Sequence, residues 1–488
     1  MTATKRSPDA RARTRTRRPA DSLTSGAVAR YAAGSIGTGG FATLPGLVLV
    51  FYLTDTLGVA ALAAGLVVTA AKVWDVLIDP WLGARSDAAL ARRGTRRGGM
   101  LLGAIALPVG FALTFAVPAG MPPAAAAVWV AIAFLATATA FSIFQVPYIA
   151  LPAELTGDYD ERTRLLTWRV VVLTIAILLF GAGGPALRGA LDDEYAGYLL
   201  MGVVAGVVIG AGMLVAAFVA PRRAAADTDG LVAPPRASIA AAYADGWASL
   251  KRSAPFRALL GAFVLQGLAT GLMLAAANYV AVWVLHSEDA LTFLFVALIA
   301  PAVLCAPVWK LVADRVGKER GFFLASILFG VAALAIVGLA WAPGAWVYAP
   351  VALAGAGYAG MQSLPMAMLP DVISHDARTH GPGRAGSFGG VWTAGETTGM
   401  ALGATVLTLV LAATGYVEST GGAVVDQPAA AVLGIVLAFS IVPAALVAAS
   451  LVVLRAYRLR RDDLQTGEDA PPAAVPGASG AATEGTAP

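Results

Sequence analysis

Asp75 and Asp79 are the residues whose type and spacing point most directly to chemistry. They stand four apart in an apolar stretch, so a helix would place them about 6 Å apart along its axis and about 40° apart around it, on one face. A charge at the centre of a membrane helix costs about 2.5 to 3.5 kcal/mol even on the lenient insertion scale. Two carboxylates held at that depth make a hard-oxygen site for Na⁺, or a store in which mutual repulsion keeps one proton on the pair. Either would couple an ion gradient to the movement of a solute. A structural use is also open, because Lys72, three residues before Asp75, can pair with it and make its burial tolerable.

Other polar residues lie in apolar runs. Gln145, Gln266, Asn278 and Gln362 suit hydrogen bonds to a hydroxylated solute or to a neighbouring helix. Glu396 is the one acid in the membrane part of the later helices of the second half. Trp74 and Trp392 offer aromatic faces to a sugar ring, or pack. Trp168 and Arg169 sit near the start of a span, where Arg169 either reaches a central cavity or snorkels to the surface. Asp87 with Arg85, Arg92 and Arg93, and Asp314 with Arg315 and Lys318, follow the second and eighth spans. They read as latches that hold two halves together at one face, or as solvated loop charges.

Catalytic patterns are missing. There is no phosphate-cradling loop with its Lys, the three histidines (His286, His375, His380) read as loop residues, and no nucleophile has a base at a useful spacing. The single Cys305 permits neither an internal disulfide nor a cysteine metal cluster. The expectation is a protein that is not an enzyme and needs no cofactor beyond a coupling ion, Na⁺ or H⁺.

The elements that must position these residues are membrane helices. Of the 488 residues, 58% are hydrophobic and 13% charged, and the mean hydropathy is +0.74. Those values exclude an ordinary soluble domain. A bilayer core about 30 Å thick needs roughly 20 apolar residues per crossing. Such runs recur near 27 to 53, 59 to 85, 99 to 117, 124 to 150, 164 to 187 and 196 to 220, and again near 254 to 285, 290 to 313, 321 to 341, 345 to 370, 385 to 415 and 428 to 454. The reading is an all-α integral membrane protein with twelve spans. It has a disordered tail at 1 to 26, a six-helix bundle at 27 to 220, a linker at 221 to 253, a second six-helix bundle at 254 to 461 and a disordered tail at 462 to 488.

Loop charge orients the chain. Arg92, Arg93, Arg96, Arg97, Arg162, Arg222, Arg223, Arg236, Lys251, Arg252, Arg315, Lys318, Arg320, Arg378 and Arg384 fill the breaks after even-numbered spans. The breaks after odd-numbered spans hold only Arg188, beside Asp192, Asp193 and Glu194. The basic loops and both termini are therefore expected in the cytoplasm of a cell with this chain in its inner membrane. The formal charge of +4 belongs to topology and not to nucleic acid. The working unit is expected to be a monomer.

The halves repeat. AspProTrpLeuGlyAlaArgSerAsp at 79 to 87 matches AlaProValTrpLysLeuValAlaAsp at 306 to 314 in its Pro and final Asp. ValProTyrIleAlaLeuPro at 146 to 152 and LeuProMetAlaMetLeuPro at 364 to 370 each place two prolines five apart.

LysValTrpAspValLeuIleAspProTrpLeuGlyAlaArgSerAsp, ending at Asp87, resembles the signature of the glycoside-pentoside-hexuronide:cation symporters, the melibiose permease family within the major facilitator superfamily. PheTyrLeuThrAspThrLeuGly at 51 to 58, ValProTyrIleAlaLeuProAlaGluLeuThr at 146 to 156, AspGluArgThr at 160 to 163, LeuProAspValIle at 369 to 373 and Arg384 follow in family order. The resemblance implies a major facilitator fold, with Asp75 and Asp79 binding the coupling Na⁺, H⁺ or Li⁺ and Arg169 near the solute. It also marks departures. Gly39 and Gln145 stand where the family has sugar-binding acids, and Thr397 stands where it has a lysine near the cation site. The expected function is cation-coupled symport of a small polar solute, a glycoside or other carbohydrate. The alternative is a proton-coupled exporter, or a carrier of a non-sugar metabolite, drug or lysolipid.

Overall fold

The computed structural model describes residues 23–156, 159–221, 250–287, 289–380, 385–421 and 425–459. The expected tail at 462 to 488, residues 1 to 22 of the expected tail at 1 to 26, and most of the expected linker, with Arg222, Arg223, Arg236 and also Arg384, lie outside the described residues, while Ser25 and Gly26 already belong to the first helix.

The apolar runs form helices because only intrahelical hydrogen bonds satisfy the backbone in lipid. In chain order these are α1 (Ser25–Phe51), α2 (Ala61–Arg93), α3 (Arg97–Thr114), α4 (Pro123–Leu155), α5 (Tyr159–Arg188), α6 (Glu194–Ala217), α7 (Ala254–Tyr279), α8 (Asp289–Val316), α9 (Lys318–Ala335), α10 (Tyr348–His380), α11 (Ala385–Ala413), α12 (Ala429–Phe439) and α13 (Ile441–Leu454). The last two are one span broken at Ser440. Polar residues start several of them. Thr24, Asp193 and Ser253 accept backbone N–H groups in the first turns of α1, α6 and α7. Gly94, at φ 66°, ends α2 in the left-handed conformation that a side chain disfavours.

Several helices outrun their apolar stretch. α2 continues to Arg93, α4 to Leu155, α8 to Val316 and α10 to His380. Asp87, Arg92, Arg93, Asp314 and Arg315 therefore lie on terminal helical turns and not in loops, and so do His375 and His380. Hydropathy marks where a helix leaves lipid, whereas the backbone stays helical as long as solvent-facing side chains tolerate it. His286 does lie in a connection, at φ 51°.

Eleven of the described helical segments are long and apolar enough to cross a membrane. α10 is not among them. It has 33 residues, but its Gly, Pro, Gln and Ser content lowers its hydropathy, and it reaches its stability by packing on α8 and α9. Elsewhere α1 packs on α5 and α6, α2 on α4, and α3 on α4 and α6, while α7 packs on α11 and α13, and α9 on α13.

The earlier set meets the later one chiefly through α1 with α7, α2 with α11, and α5 with α8. Their close contacts lie toward the end of the bundle that carries Asp192, Asp193 and Glu194, called here the acidic end. Leu274 covers Gly46, Thr408 covers Gly65 and Phe295 covers Gly181, and Thr69 Oγ1 and Thr405 Oγ1 share a hydrogen bond of 2.6 Å. Further toward the basic end, residues of α2 and α11, among them Lys72, Leu77, Thr397 and Ala401, line a cavity of about 220 Å³.

Candidate functional site

α2 carries Lys72, Asp75 and Asp79, with Lys72 in the wall of the cavity between α2 and α11. Lys72 Nζ lies 3.5 Å from Asp75 Oδ2 and 5.8 Å from the centre of the Phe41 ring. Asp75 is buried. The pairing leaves Oδ1 of Asp75, and Oδ1 of Asp79 as well, buried without a hydrogen-bond partner. A buried carboxylate oxygen with open lone pairs is costly unless something binds there, and a proton or a small hard cation fits that chemistry. Among the described residues no group of three or more His, Cys, Asp or Glu is assembled to hold a metal, so a metal ion here would complete its shell from hydroxyls, backbone or water.

A polar lane on α1, α4 and α5 continues from this pair. Ser142 of α4 lies beside Asp79. Thr38 Oγ1 donates to Gln145 Oε1 at 2.9 Å. One turn further, the Tyr148 hydroxyl lies 3.0 Å from Ser35 Oγ and donates to the Tyr31 carbonyl at 2.9 Å, with the two tyrosine rings stacked at 4.7 Å. The Arg169 guanidinium sits 5.7 Å from the centre of the Tyr148 ring, and its Nε is buried without a partner. Trp74 Nε1 donates to Thr139 Oγ1 at 2.9 Å, and its ring stays exposed. Gln145 and Arg169 thus join one lane with the α2 acids, while Trp74 stands on α2 with its ring exposed. The lane's other members, Tyr31, Ser35, Thr38 and Tyr148, went unnoticed in the sequence, although Tyr31, Ser35 and Thr38 recur at helical spacing in an apolar run.

Glu396 lies apart from this lane, in the second helix set. It is half-buried on α11, near Tyr358 of α10, whose hydroxyl accepts from Gln362 Nε2 at 2.8 Å. Asn278 and Trp392 are not part of this surface. Asn278 is fully enclosed at the acidic end, where its Oδ1 accepts from Arg188 Nη1 at 3.5 Å. Trp392 is buried with its ring stacked on Phe263 at 4.4 Å. Asn278 is held across the two sets by its bond to Arg188 of α5, whereas Trp392 packs within the second set. Gln266 does the same, donating to Ser326 and Ser450.

Among the expected latch residues, Arg92 is exposed and its Nε donates to its own helix at Ala88. Arg93, Asp314 and Arg315 are exposed, and the Asp87 side chain lies outside the described residues. Among the described residues, ion pairs of this end join other acids. Arg96 Nε meets Glu154 Oε1 at 2.5 Å, Lys318 Nζ meets Asp371 Oδ2 at 2.6 Å, and Arg252 grips Asp376 with two nitrogens. The first two correspond: in each a basic residue just beyond the second or eighth span binds an acid one or two residues past the second proline of the matching pair, Pro152 or Pro370.

A bundle with eleven helices long and apolar enough to cross a membrane, a polar lane and buried ionisable groups has the architecture of a multi-pass integral membrane transporter of small solutes. The chain belongs to the MFS/sugar transport protein family, whose model matches residues 30–461. It is 24% identical to an uncharacterized symporter of Synechocystis over 88% of this chain and 93% of that protein. It is 23% identical to the glucuronide carrier protein homolog of Escherichia coli over 88% and 91% of the two chains. In fold it is similar to a bacterial homolog of the human lysosomal transporter Spinster, with a TM-score of 0.59 at 13% identity, covering 88% of this chain and 95% of that one.

Proposed function

We propose that this chain is a cation-coupled symporter that carries a small polar solute, a glycoside or other carbohydrate, by alternating access. The observation that carries the reading is the pair of open carboxylate oxygens on Asp75 and Asp79, buried at the head of a lane of hydroxyls and amides. Na⁺ or H⁺ bound between these acids removes their repulsion, lets α2 approach α11, and so favours closure of the two helix sets around a solute. Gln145, Arg169, Trp74 and Glu396 are the solute contacts in this account, with Tyr148 holding the Arg169 guanidinium in place.

In this proposal twelve spans form two parallel six-helix halves, α1 to α6 and α7 to α13, with α10 supplying the twelfth span. Matching packing supports it: α1 with α5 and α6 corresponds to α7 with α11 and α13, and α2 with α4 corresponds to α8 with α10. The basic end and both termini face the cytoplasm. With α1 and α7, α2 and α11, and α5 and α8 in contact toward the acidic end, the conformation is read as the inward-facing one. The protein acts as a monomer in the cytoplasmic membrane and has no nucleic-acid partner.

The test is uptake by proteoliposomes of a panel of labelled glycosides and free sugars under an imposed Na⁺ gradient, an imposed pH gradient, or neither. Accumulation above the bath concentration, driven by one of the two gradients, is expected. Equilibration alone under every gradient would overturn the coupling.

A further inference from the structure

α1 and α7 end alike. Each passes into a single five-residue π-turn, Tyr52–Thr56 after α1 and Val280–Val284 after α7. Each turn closes with the same two backbone bonds, Leu57 N–H to the Tyr52 carbonyl and Val59 N–H to Leu53 in one, Leu285 N–H to Val280 and Ser287 N–H to Ala281 in the other. Each is followed by a residue at positive φ, Gly58 or His286. π-turns of this kind carry a conformational cost and occur mostly at functional positions.

Asp55 and Trp283 hold the same fourth place in the two turns, and they touch. Trp283 Nε1 donates to Asp55 Oδ1 at 3.0 Å. The Tyr416 hydroxyl, from the connection after α11, donates to the same oxygen at 2.5 Å, and Thr54 donates to Oδ2 at 2.5 Å. Thr54 in turn shares a 2.7 Å hydrogen bond with Tyr279 of α7. Asp55 is 3% exposed, so two of its three donors come from the other helix set and reach it in a low-dielectric place where charge-assisted bonds are strong.

A second carboxylate reaches the opposite way. Glu418, beside Tyr416, accepts the Ala61 N–H at 3.0 Å and so occupies the N-terminus of α2, which has no side-chain cap of its own. An anion is favoured there. Between the two acids the chain is pinned by backbone bonds, Ser419 N–H to the Thr54 carbonyl at 3.1 Å and Gly421 N–H to Thr56 at 2.9 Å. A cavity of about 830 Å³ opens over this arrangement from the acidic end, with Asp55 and Trp283 in its wall.

We propose that Asp55 and Glu418 form a reciprocal clasp that holds the acidic end closed, each acid of one half accepting from the other half, and that the transport cycle must break both to admit solute from that end. The two π-turns meet where α1 and α7 must part, and Asp55 is a positioning residue that sets the balance between the two access states without touching solute. The proposal rests on alternating access, but on neither the coupling ion nor the solute.

The test is thiol labelling of purified protein in nanodiscs, in a background with Cys305→Ala and Thr408→Cys. Thr408 is 1% exposed and lies against Gly65 at the sealed interface, so it is protected until the acidic end opens. Trp283→Phe keeps an aromatic ring and removes the N–H donor, and Asp55→Asn and Glu418→Gln keep shape and remove charge. Each should speed maleimide labelling at position 408, by at least tenfold for Asp55→Asn, with an unchanged elution profile. Unchanged labelling in Trp283→Phe and Asp55→Asn would overturn the clasp. Because no gradient or solute enters the measurement, failed coupling at Asp75 and Asp79 would leave its outcome unaffected.

Discussion

Lys72 and Asp75, one turn apart on α2, form a 3.5 Å ion pair in which the acid's side chain is 12% exposed and the base's 31%. The base is partly exposed while the acid is nearly enclosed, and the pair neutralises the acid's charge through one oxygen only. The second oxygen remains open.

Removing Lys72 should therefore be costly in a way that depends on Asp75. Lys72→Ala is expected to lower stability by about 1–2 kcal/mol, between the values for exposed and buried pairs. The double variant with Asp75→Asn should recover most of that loss, because no uncompensated charge remains. Thermal unfolding in detergent checks the cycle, and additive losses in the double variant would contradict the pairing.

The two corresponding ion pairs of the basic end should differ in weight. Arg96 and Glu154 are 9% and 8% exposed at the side chain, whereas Lys318 and Asp371 are 43% and 22% exposed. Arg96→Gln is expected to cost about 3 kcal/mol and Lys318→Gln less than about 1 kcal/mol. High salt should narrow the second difference and leave the first, since solvent-exposed pairs are the ones screened. Melting temperatures at two salt concentrations measure both.

Close approach of α7 and α11 depends on small residues. A methyl group on Gly271 would run into the Met400 backbone, and one on Gly403 into the backbone of Gly271 and Leu272, as expected where helices pack through small residues in lipid. Gly271→Val should destabilise by about 1–3 kcal/mol. Gly183→Val, at a glycine with open space around it, should be near neutral in the same melting assay.

Much of this architecture is legible in the sequence because lipid enforces it. A span must be apolar for about 20 residues, so the starts of α1 to α9 appear directly, and the Asp75 and Asp79 pair stands out against that background. Helix ends in water carry no such constraint, which is why Asp87, Asp314, His375 and His380 read as loop residues but lie on helical turns. α10 shows the opposite limit: a helix stabilised by its neighbours need not look apolar. Asn278 and Trp392 share a residue type with solute contacts, and type alone does not tell a packed face from an open one. The partnership of Asp55 with Trp283 and Tyr416 joins positions 228 and 361 residues apart, a distance across which local pattern is silent.

Coupling through the α2 acids is tested most directly by gradient-driven solute accumulation in proteoliposomes, comparing the wild type with Asp75→Asn and Asp79→Asn. Each amide keeps the shape of the acid and removes its charge. The account predicts that both variants bind and equilibrate solute but lose accumulation above the bath concentration, with at least a tenfold lower gradient-driven level. Accumulation unchanged from wild type in both variants would contradict it.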